Sequence, residues 1–289
     1  MLETCQPPDP MPRVPLLKCP AGTTDCHVHV YGPATRYAMA STRSFDAPDA
    51  LPSTLKEVLD TLGIDRVVLV QPSGYGTDNR RHIDAISELG RPARVVASLG
   101  ANVEDAELER LHLAGVRGIR YTVGHAGAVS LDEMPEMAAR IAAWGWHVQL
   151  HVMHAGDRVP LQEMQGVLRA LPVDVVLDHI GSVHPSGGIN QEGFKALLEL
   201  LATGRCWVKL SAAYRVAETP PYIEMKPFVD AMVAVNPERL LWGSDWPHVN
   251  FRGKMPNTTD LLDQMLTWVP DEAVRNRILV DNPARLYGF

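Results

Sequence analysis

The sequence predicts an α/β protein, a closed (β/α)8 TIM barrel built from a single chain of 289 residues. Three observations point there. From residue 23 onward, short β-branched runs alternate with amphipathic helical patterns, the signature of βα units around a parallel sheet. The runs number eight, each followed by a helical pattern. The length also suits a single barrel, which typically takes about 250 residues. A doubly wound open sheet would carry a Gly-rich phosphate turn after its first strand. Here that strand runs into DCHVHVYGP, and the chain holds no GxGxxG, P-loop, GxSxG or solenoid-type repeat.

Residues 1–22 read as a Pro-rich extended arm, and 23–289 as the barrel domain. The first strand is expected at Thr24–Val30. Residues 32–51 follow as a long connection without periodicity, the kind that serves as a lid or binding loop. A helix over 53–62 starts at Ser53 and stops at Gly63. Strand Arg66–Gln71 leads to helix 78–89, bounded by Asp78 and Gly90. Strand Arg94–Leu99, helix 103–114 with Gly115, strand Gly118–Thr122 and helix 131–144 with Gly145 come next. Then follow strand His147–Val152, helix 161–171, strand Val175–Ile180 and helix 191–203 with Gly204. Strand Cys206–Ser211, helix 224–235, strand Leu240–Ser244 and helix 258–269 complete the series. Ser and Asp mark helix starts because their oxygens accept the unpaired first-turn N–H groups. Gly marks helix ends because it enters the left-handed region without steric cost.

Hydrophobic residues at 46%, charged at 21% and aromatic at 6% exclude a disordered tail, a collagen-like chain and a disulfide miniprotein. Lys+Arg 27 against Asp+Glu 34 leaves −7, which argues against nucleic acid or an anionic membrane as partner. No stretch approaches the ~18 apolar residues of a membrane span. The start shows neither a basic leader with an apolar core nor an Arg-rich transit pattern. Cys5, Cys19, Cys26 and Cys206 are scattered without a CxxC pair, so free thiols in a reducing, cytoplasmic setting are expected. A homo-oligomer is compatible with the sequence, which specifies no interface.

Barrel chemistry sits at the C-terminal ends of the strands. His27 and His29 are two apart on the first strand, so both imidazoles face one side, with Asp25 before them. Paired neutral imidazoles are half of a mononuclear metal site, and equally a structural pair. His151 closes the fifth strand, His179 the sixth and Asp245 the eighth, which neighbours the first in a closed barrel. Four of 11 histidines at one rim, with a carboxylate, suit a metal or acid–base site better than packing. Arg120 and Arg215 lie at strand ends, and a guanidinium fork there fits a substrate carboxylate or, equally, a salt bridge to a loop. Tyr75, Thr77 and Asn79 after the second strand are candidate neutral contacts, with Tyr121 and Tyr214 as weaker ones. Trp207, Trp242 and Trp268 are expected to pack, and Trp246-Pro247-His248 to shape the turn at Asp245, with His248 within reach of the site. The charges over Glu104–Arg110 read as a solvated helix face. Cys26 is expected to point away from both histidines and not to act as a nucleophile.

Motifs across the chain extend this reading: DCHVHV (25–30), VQPSGYGTDN (70–79), GVRGIRY (115–121), GWHVQLH (145–151), DHIG (178–181), WVKLSAAYR (207–215), WGSDWPH (242–248) and DNPARLYGF (281–289). With these the chain resembles the amidohydrolase superfamily, in the lactonase branch that opens pyrone-dicarboxylate, sulfomuconolactone and sugar-acid rings. The resemblance implies hydrolysis of a small anionic lactone, with Asp245 as general base and His27, His29 and His179 polarising the carbonyl, directly or through a metal. Asp178 would orient a neighbouring imidazole.

The pattern departs from the pyrone-dicarboxylate members in two ways. Where they carry further arginines this chain has His125-Ala126-Gly127 and Ser182, which favours one carboxylate or sulfonate over two. The stretch GHAGAVSLDEM (124–134) is closer to sugar-acid members. At the end of the fifth strand those lactonases carry tyrosine and resemble metal-free hydrolases. His151 there instead completes, with His27, His29 and Asp245, a one-metal set like that of the superfamily's decarboxylases. A single Zn2+ and no organic cofactor is the expectation. The alternatives are a metal-dependent decarboxylase of an unsaturated or aromatic acid, a sugar-acid lactone isomerase, and a barrel that binds an acidic ligand without turnover.

Overall fold

The computed structural model describes residues 2, 4–9, 11–123, 128–152 and 161–289. Eight parallel strands follow one another in sequence order: β1 (Thr24–Val28), β2 (Arg66–Val70), β3 (Ala93–Ala97), β4 (Val116–Val123), β5 (His147–Val152), β6 (Val175–Leu177), β7 (Cys206–Leu210) and β8 (Leu240–Trp242). Between and after them run α1 (Pro52–Leu62), α2 (Arg80–Leu89), α3 (Asp105–Leu113), α4 (Met134–Ala142), α5 (Leu161–Ala170), α6 (Glu192–Ala202), α7 (Lys226–Val235) and α8 (Thr258–Trp268). This is the expected (β/α)8 arrangement. The chain ends in α9 (Glu272–Asn276), a π turn and α10 (Asn282–Tyr287). Among the described residues no helix is long and apolar enough to cross a membrane.

Strands β6 and β8 stop earlier than their apolar runs suggest. The backbone turns out of the sheet at the C-terminal rim, where His179, Ile180 and Asp245 take left-handed φ values of 55°, 53° and 62°. Helix starts also differ in detail. Leu51, not Ser53, precedes α1, because Pro52 occupies the first turn, where its missing N–H costs nothing. Asp78 lies one residue before the boundary at Asn79, yet its Oδ1 still accepts the Arg80 N–H at 3.1 Å.

The seam between β1 and β8 closes the barrel and builds the site. The Asp245 N–H donates to the His27 carbonyl at 2.9 Å, and the His29 N–H to that of Trp246 at 2.8 Å. Asp25 pairs with Val67 but Val28 with Leu69, so β1 carries an extra residue, a β-bulge. Asp25 Oδ1 accepts the N–H groups of His27 (3.1 Å) and Ser244 (3.0 Å), clamping that bulge to β8. The bulge breaks strict alternation and corrects one expectation. Cys26 does not point away from the interior but packs there with Val68, Val70, Val96, Val176, Trp207 and Leu241. Gly243 makes room for the seam, since a Cβ there would lie 2.7 Å from the His27 Cβ.

Described residues of the N-terminal arm are bonded to the barrel. Leu16 and Leu17 N–H groups bond Asp263 of α8 at 3.1 and 2.9 Å, and the Cys5 N–H bonds the Asp46 carbonyl at 2.7 Å. The arm therefore straps the barrel side to the loop after β1, next to the catalytic rim.

Candidate active site

At the rim lies a cavity of about 260 Å3, lined among others by His29, Tyr31, Phe45, Ser73, Arg120, Thr122, His151, His179, Ser182, Ser211, Arg215 and Asp245. At its inner end, one oxygen of Asp245 gathers three imidazoles. His27 Nε2 lies 3.6 Å from Asp245 Oδ1, His29 Nε2 3.7 Å and His179 Nε2 3.8 Å. Strand alternation brings His27 and His29 to this side, and the left-handed turn after β6 swings His179 in. The other carboxylate oxygen is held from outside: Oδ2 accepts the Tyr214 hydroxyl at 2.5 Å and Arg215 Nη2 at 3.0 Å.

Left-handed backbone gathers here. His179, Ile180, Ser182, Ala212, Asp245, His248 and Asn250 all have φ between 53° and 62°. Each such non-glycine residue costs on the order of 1 kcal/mol, and that strain aims the side chains inward.

Proton positions follow from the partners. The His29 Nδ1 lies 2.6 Å from the Val70 carbonyl, which can only accept, so Nδ1 carries a proton and Nε2 is the ring nitrogen turned towards Asp245. His27 Nδ1 lies 3.2 Å from Asp178 Oδ1 and 3.3 Å from Lys209 Nζ. His179 Nδ1 pairs with the Ser211 hydroxyl at 2.9 Å. Burial pushes His27 well below the ordinary imidazole range and His179 down to about 4, so both are neutral near pH 7. Burial alone would raise the Asp245 carboxyl. His179 and Arg215 outweigh it and hold the group well below the usual carboxylate range. Asp178 behaves alike, held low by His27, Lys209 at 3.4 Å and Arg120 at 3.1 Å against burial.

The donor set fits a single cation. His27, His179 and Asp245 offer ligand atoms within 4.8 Å of one another, and His29 Nε2 stands 3.3 Å from His27 Nε2. Ligands about 2.0–2.1 Å from tetrahedral zinc are spaced about 3.3–3.4 Å apart; the His27–His29 pair and the three contacts to Asp245 Oδ1 run from 3.3 to 3.8 Å, and His27, His179 and Asp245 form the mutually close group among the described residues. His151 does not join this set, which corrects the expected ligand list in favour of His179. Its Nδ1 faces Arg120 Nη2 at 3.3 Å, a donor, so the neutral ring carries its proton on Nε2 and presents N–H rather than a lone pair. It remains in the cavity wall, edge-on to His179 at 5.0 Å.

Both expected arginines line the cavity, and both are already engaged. Arg120 bonds Asp178 Oδ2 and the Gln71 carbonyl, each at 3.1 Å. Arg215 bonds Asp245 and the Val249 carbonyl. Tyr75, Thr77 and Asn79 do not line the cavity. The Tyr75 hydroxyl accepts the Gly32 N–H at 2.8 Å. Asn79 Nδ2 donates to the carbonyls of Thr77 and Ser98, and Thr77 and Asn79 border a separate groove with Glu104 and Arg110. From that loop the cavity takes Ser73 instead. Tyr121 is buried, and His248 stacks edge-on against Tyr214 at 5.3 Å without lining the cavity. Ser182 lines the cavity, while His125-Ala126-Gly127 lie outside the described residues.

Lys209 and Phe45 went unforeseen. A lysine within a strand buried at every position, CWVKL, is the signal that would have exposed the first. Its Nζ donates to Gln149 Oε1 at 2.8 Å beneath the histidines. Phe45 sits in the aperiodic 32–51 connection, which offers no register to place it.

Comparison with known proteins completes the picture. The chain is 37% identical over 288 residues to 2-pyrone-4,6-dicarboxylate hydrolase of Comamonas testosteroni, covering 96% of this chain and 93% of that protein. It is 35% identical to 4-sulfomuconolactone hydrolase of Rhizobium radiobacter, covering 93% and 91%. It is 31% identical to D-galactarolactone isomerase of Agrobacterium fabrum, again covering 93% and 91%. The amidohydrolase family profile matches residues 24–289. An eight-stranded barrel with imidazoles and a carboxylate converging at its C-terminal rim, matched along nearly its whole length, belongs to the amidohydrolase family.

Proposed function

We propose that this protein hydrolyses the ring ester of a small anionic lactone, with Asp245 as the general base. The carrying observation is the meeting of His27, His29 and His179 at Asp245 Oδ1, the carboxylate oxygen that Tyr214 and Arg215 leave open. Two relatives bearing lactone hydrolase names support the substrate class.

A water beside Oδ1 gives its proton to the carboxylate as its oxygen adds to the ring carbonyl carbon, and the carbonyl electrons move onto oxygen. His151 Nε2–H, with the Arg120 guanidinium at its other nitrogen, offers an electropositive edge to that oxyanion. The tetrahedral intermediate then breaks its bond to the ring oxygen. That oxygen takes the proton back from Asp245, leaving an open-chain acid and the base restored. Lys209, Asp178 and Gln149 fix the floor of the site, and with it the His27 ring.

A carboxylate held so far below its usual range stays ionised but is a weak base, and the neutral imidazoles of His27 and His179 add lone pairs beside it without a counter-charge. A single divalent cation, zinc by donor type, would be held by His27, His29, His179 and Asp245. When bound there it supplies Lewis acidity.

Acid release across pyrone, muconolactone and sugar-acid lactones, with NMR of products, tests the reading. Ring opening of at least one lactone without CO2 is expected. CO2 release would turn the assignment to a decarboxylase, and a rearranged lactone without net acid to an isomerase. Protein prepared without chelator is expected to retain about one equivalent of zinc by elemental analysis. Trace metal alongside full turnover would refute the cation.

A further inference from the structure

We propose that the cavity contains an apolar subsite, walled by Phe45, Val216, Met225 and Val249, that accepts an alkyl substituent on the ring of the substrate. It rests on the lactone reading above and names which lactones the site prefers.

Strand order divides the lining into two sides. Arg120 and Thr122 on β4, His151 on β5, Ser73 after β2 and Ser182 after β6 each offer a hydrogen-bonding group. Ala212, Ala213, Val216 and Met225 follow β7, Val249 follows β8, and Phe45 follows β1. Because β7, β8 and β1 are neighbours around the barrel, these residues share one side of the cavity with Ser211, Arg215 and Asp245, of which Ser211 is paired with His179 and Arg215 with Asp245.

Polar groups on that wall are already used or sit apart. The Val249 carbonyl accepts Arg215 Nη2 at 2.9 Å, and Arg215 itself is drawn onto Asp245. Asn250 is exposed at the mouth, its N–H given to Cys5 Sγ at 3.2 Å. Tyr31 leans towards the β2 side, its ring stacked on Tyr75 at 5.6 Å. A ring hydroxyl packed against the Phe45, Met225 and Val249 side chains would lose water to hydrocarbon surface, whereas a methyl group there gains burial. An anionic group engages the Arg120 side, so the ring spans the cavity from charge to hydrocarbon.

The test is a matched series of one anionic lactone bearing hydrogen, methyl, ethyl or hydroxyl at the carbon opposite the acid group. In parallel, calorimetry measures binding of cyclohexanecarboxylates with the same substituents, which have no ester to hydrolyse. The wild type is expected to gain about fourfold in kcat/KM per added carbon, and to prefer methyl over hydroxyl by roughly ten- to a hundredfold. Calorimetry should give the same order. Val216→Thr and Met225→Gln, each checked for an unchanged thermal transition, should narrow the methyl-to-hydroxyl ratio severalfold. Failure of every lactone to react, with alkyl carboxylates still binding more tightly than hydroxylated ones, would sink the lactone reading and leave the subsite standing. Equal or better performance of the hydroxyl compounds in either assay, or no binding of any carboxylate, overturns the subsite.

Discussion

Asp245→Asn separates the chemical role of this carboxylate from its structural one. The carboxamide oxygen of the variant would still receive the Tyr214 hydroxyl and the Arg215 guanidinium that now hold Oδ2 at 2.5 and 3.0 Å. Its NH2 would take the place of Oδ1 and face the imidazole nitrogens 3.6–3.8 Å away. The left-handed φ of 62° is one that Asn tolerates. The fold should therefore survive, with a stability loss of about 1–3 kcal/mol from the weakened hydrogen bonds to a formerly charged group. What disappears is the proton acceptor. Loss of a general base typically costs about 10²–10⁴ in kcat, or roughly 3–5 kcal/mol on the barrier. Initial rates of acid release on the best lactone, with a melting curve of the same sample, read both terms. A folded variant that keeps more than about a tenth of wild-type kcat would refute Asp245 as the base.

Three further outcomes follow from the geometry. Tyr214→Phe removes a donor to Asp245 Oδ2, so the Asp245 pKa should rise and the acid limb of the kcat/KM profile should move to higher pH; an unmoved limb would contradict it. Gly243→Ala drives a Cβ to 2.7 Å from the His27 Cβ and 2.9 Å from its backbone nitrogen. It should cost about 1–3 kcal/mol and disable catalysis, and unchanged melting and turnover would show that the seam yields. Buried His147 is pushed down to about 3, and His179 and His248 to about 4, by desolvation. Unfolded imidazoles protonate below about pH 6.5 while these stay neutral, so their stability contribution is present above that pH and fades as pH falls towards 4. Asp25, raised by burial to about 6, opposes the trend between its folded value and the ordinary carboxylate value. Urea unfolding from pH 6 to 4.5 should therefore show falling stability, and His147→Met should flatten the slope by about 1.4 kcal/mol per pH unit. An unaltered slope would mean His147 titrates normally.

Much of this was legible in the residues. Alternating periodicity exposed the barrel because a strand buried on both faces and an amphipathic helix need different spacings of apolar side chains. It also placed His27, His29, His179 and Asp245 at one rim, since in a parallel barrel every strand ends on the same face. Tyr75, Thr77 and Asn79 misled for a local reason. Position in a loop after a strand says that a residue is near the rim, not which way it turns, and here backbone groups claim all three or leave them by another groove.

The sequence by itself determined the fold class, the rim and the chemical types gathered there, because hydrophobic spacing and strand polarity are local properties of the chain. Only the tertiary structure decided how those groups share protons and charge. One added residue in β1 turns Cys26 inward. Arg120 makes His151 a donor rather than a ligand, and Tyr214 with Arg215 leaves Asp245 a single open oxygen. Each of these depends on partners 30 or more residues away in the chain. Coulomb and hydrogen-bond energies depend on distances in space, and no spacing along the chain specifies those.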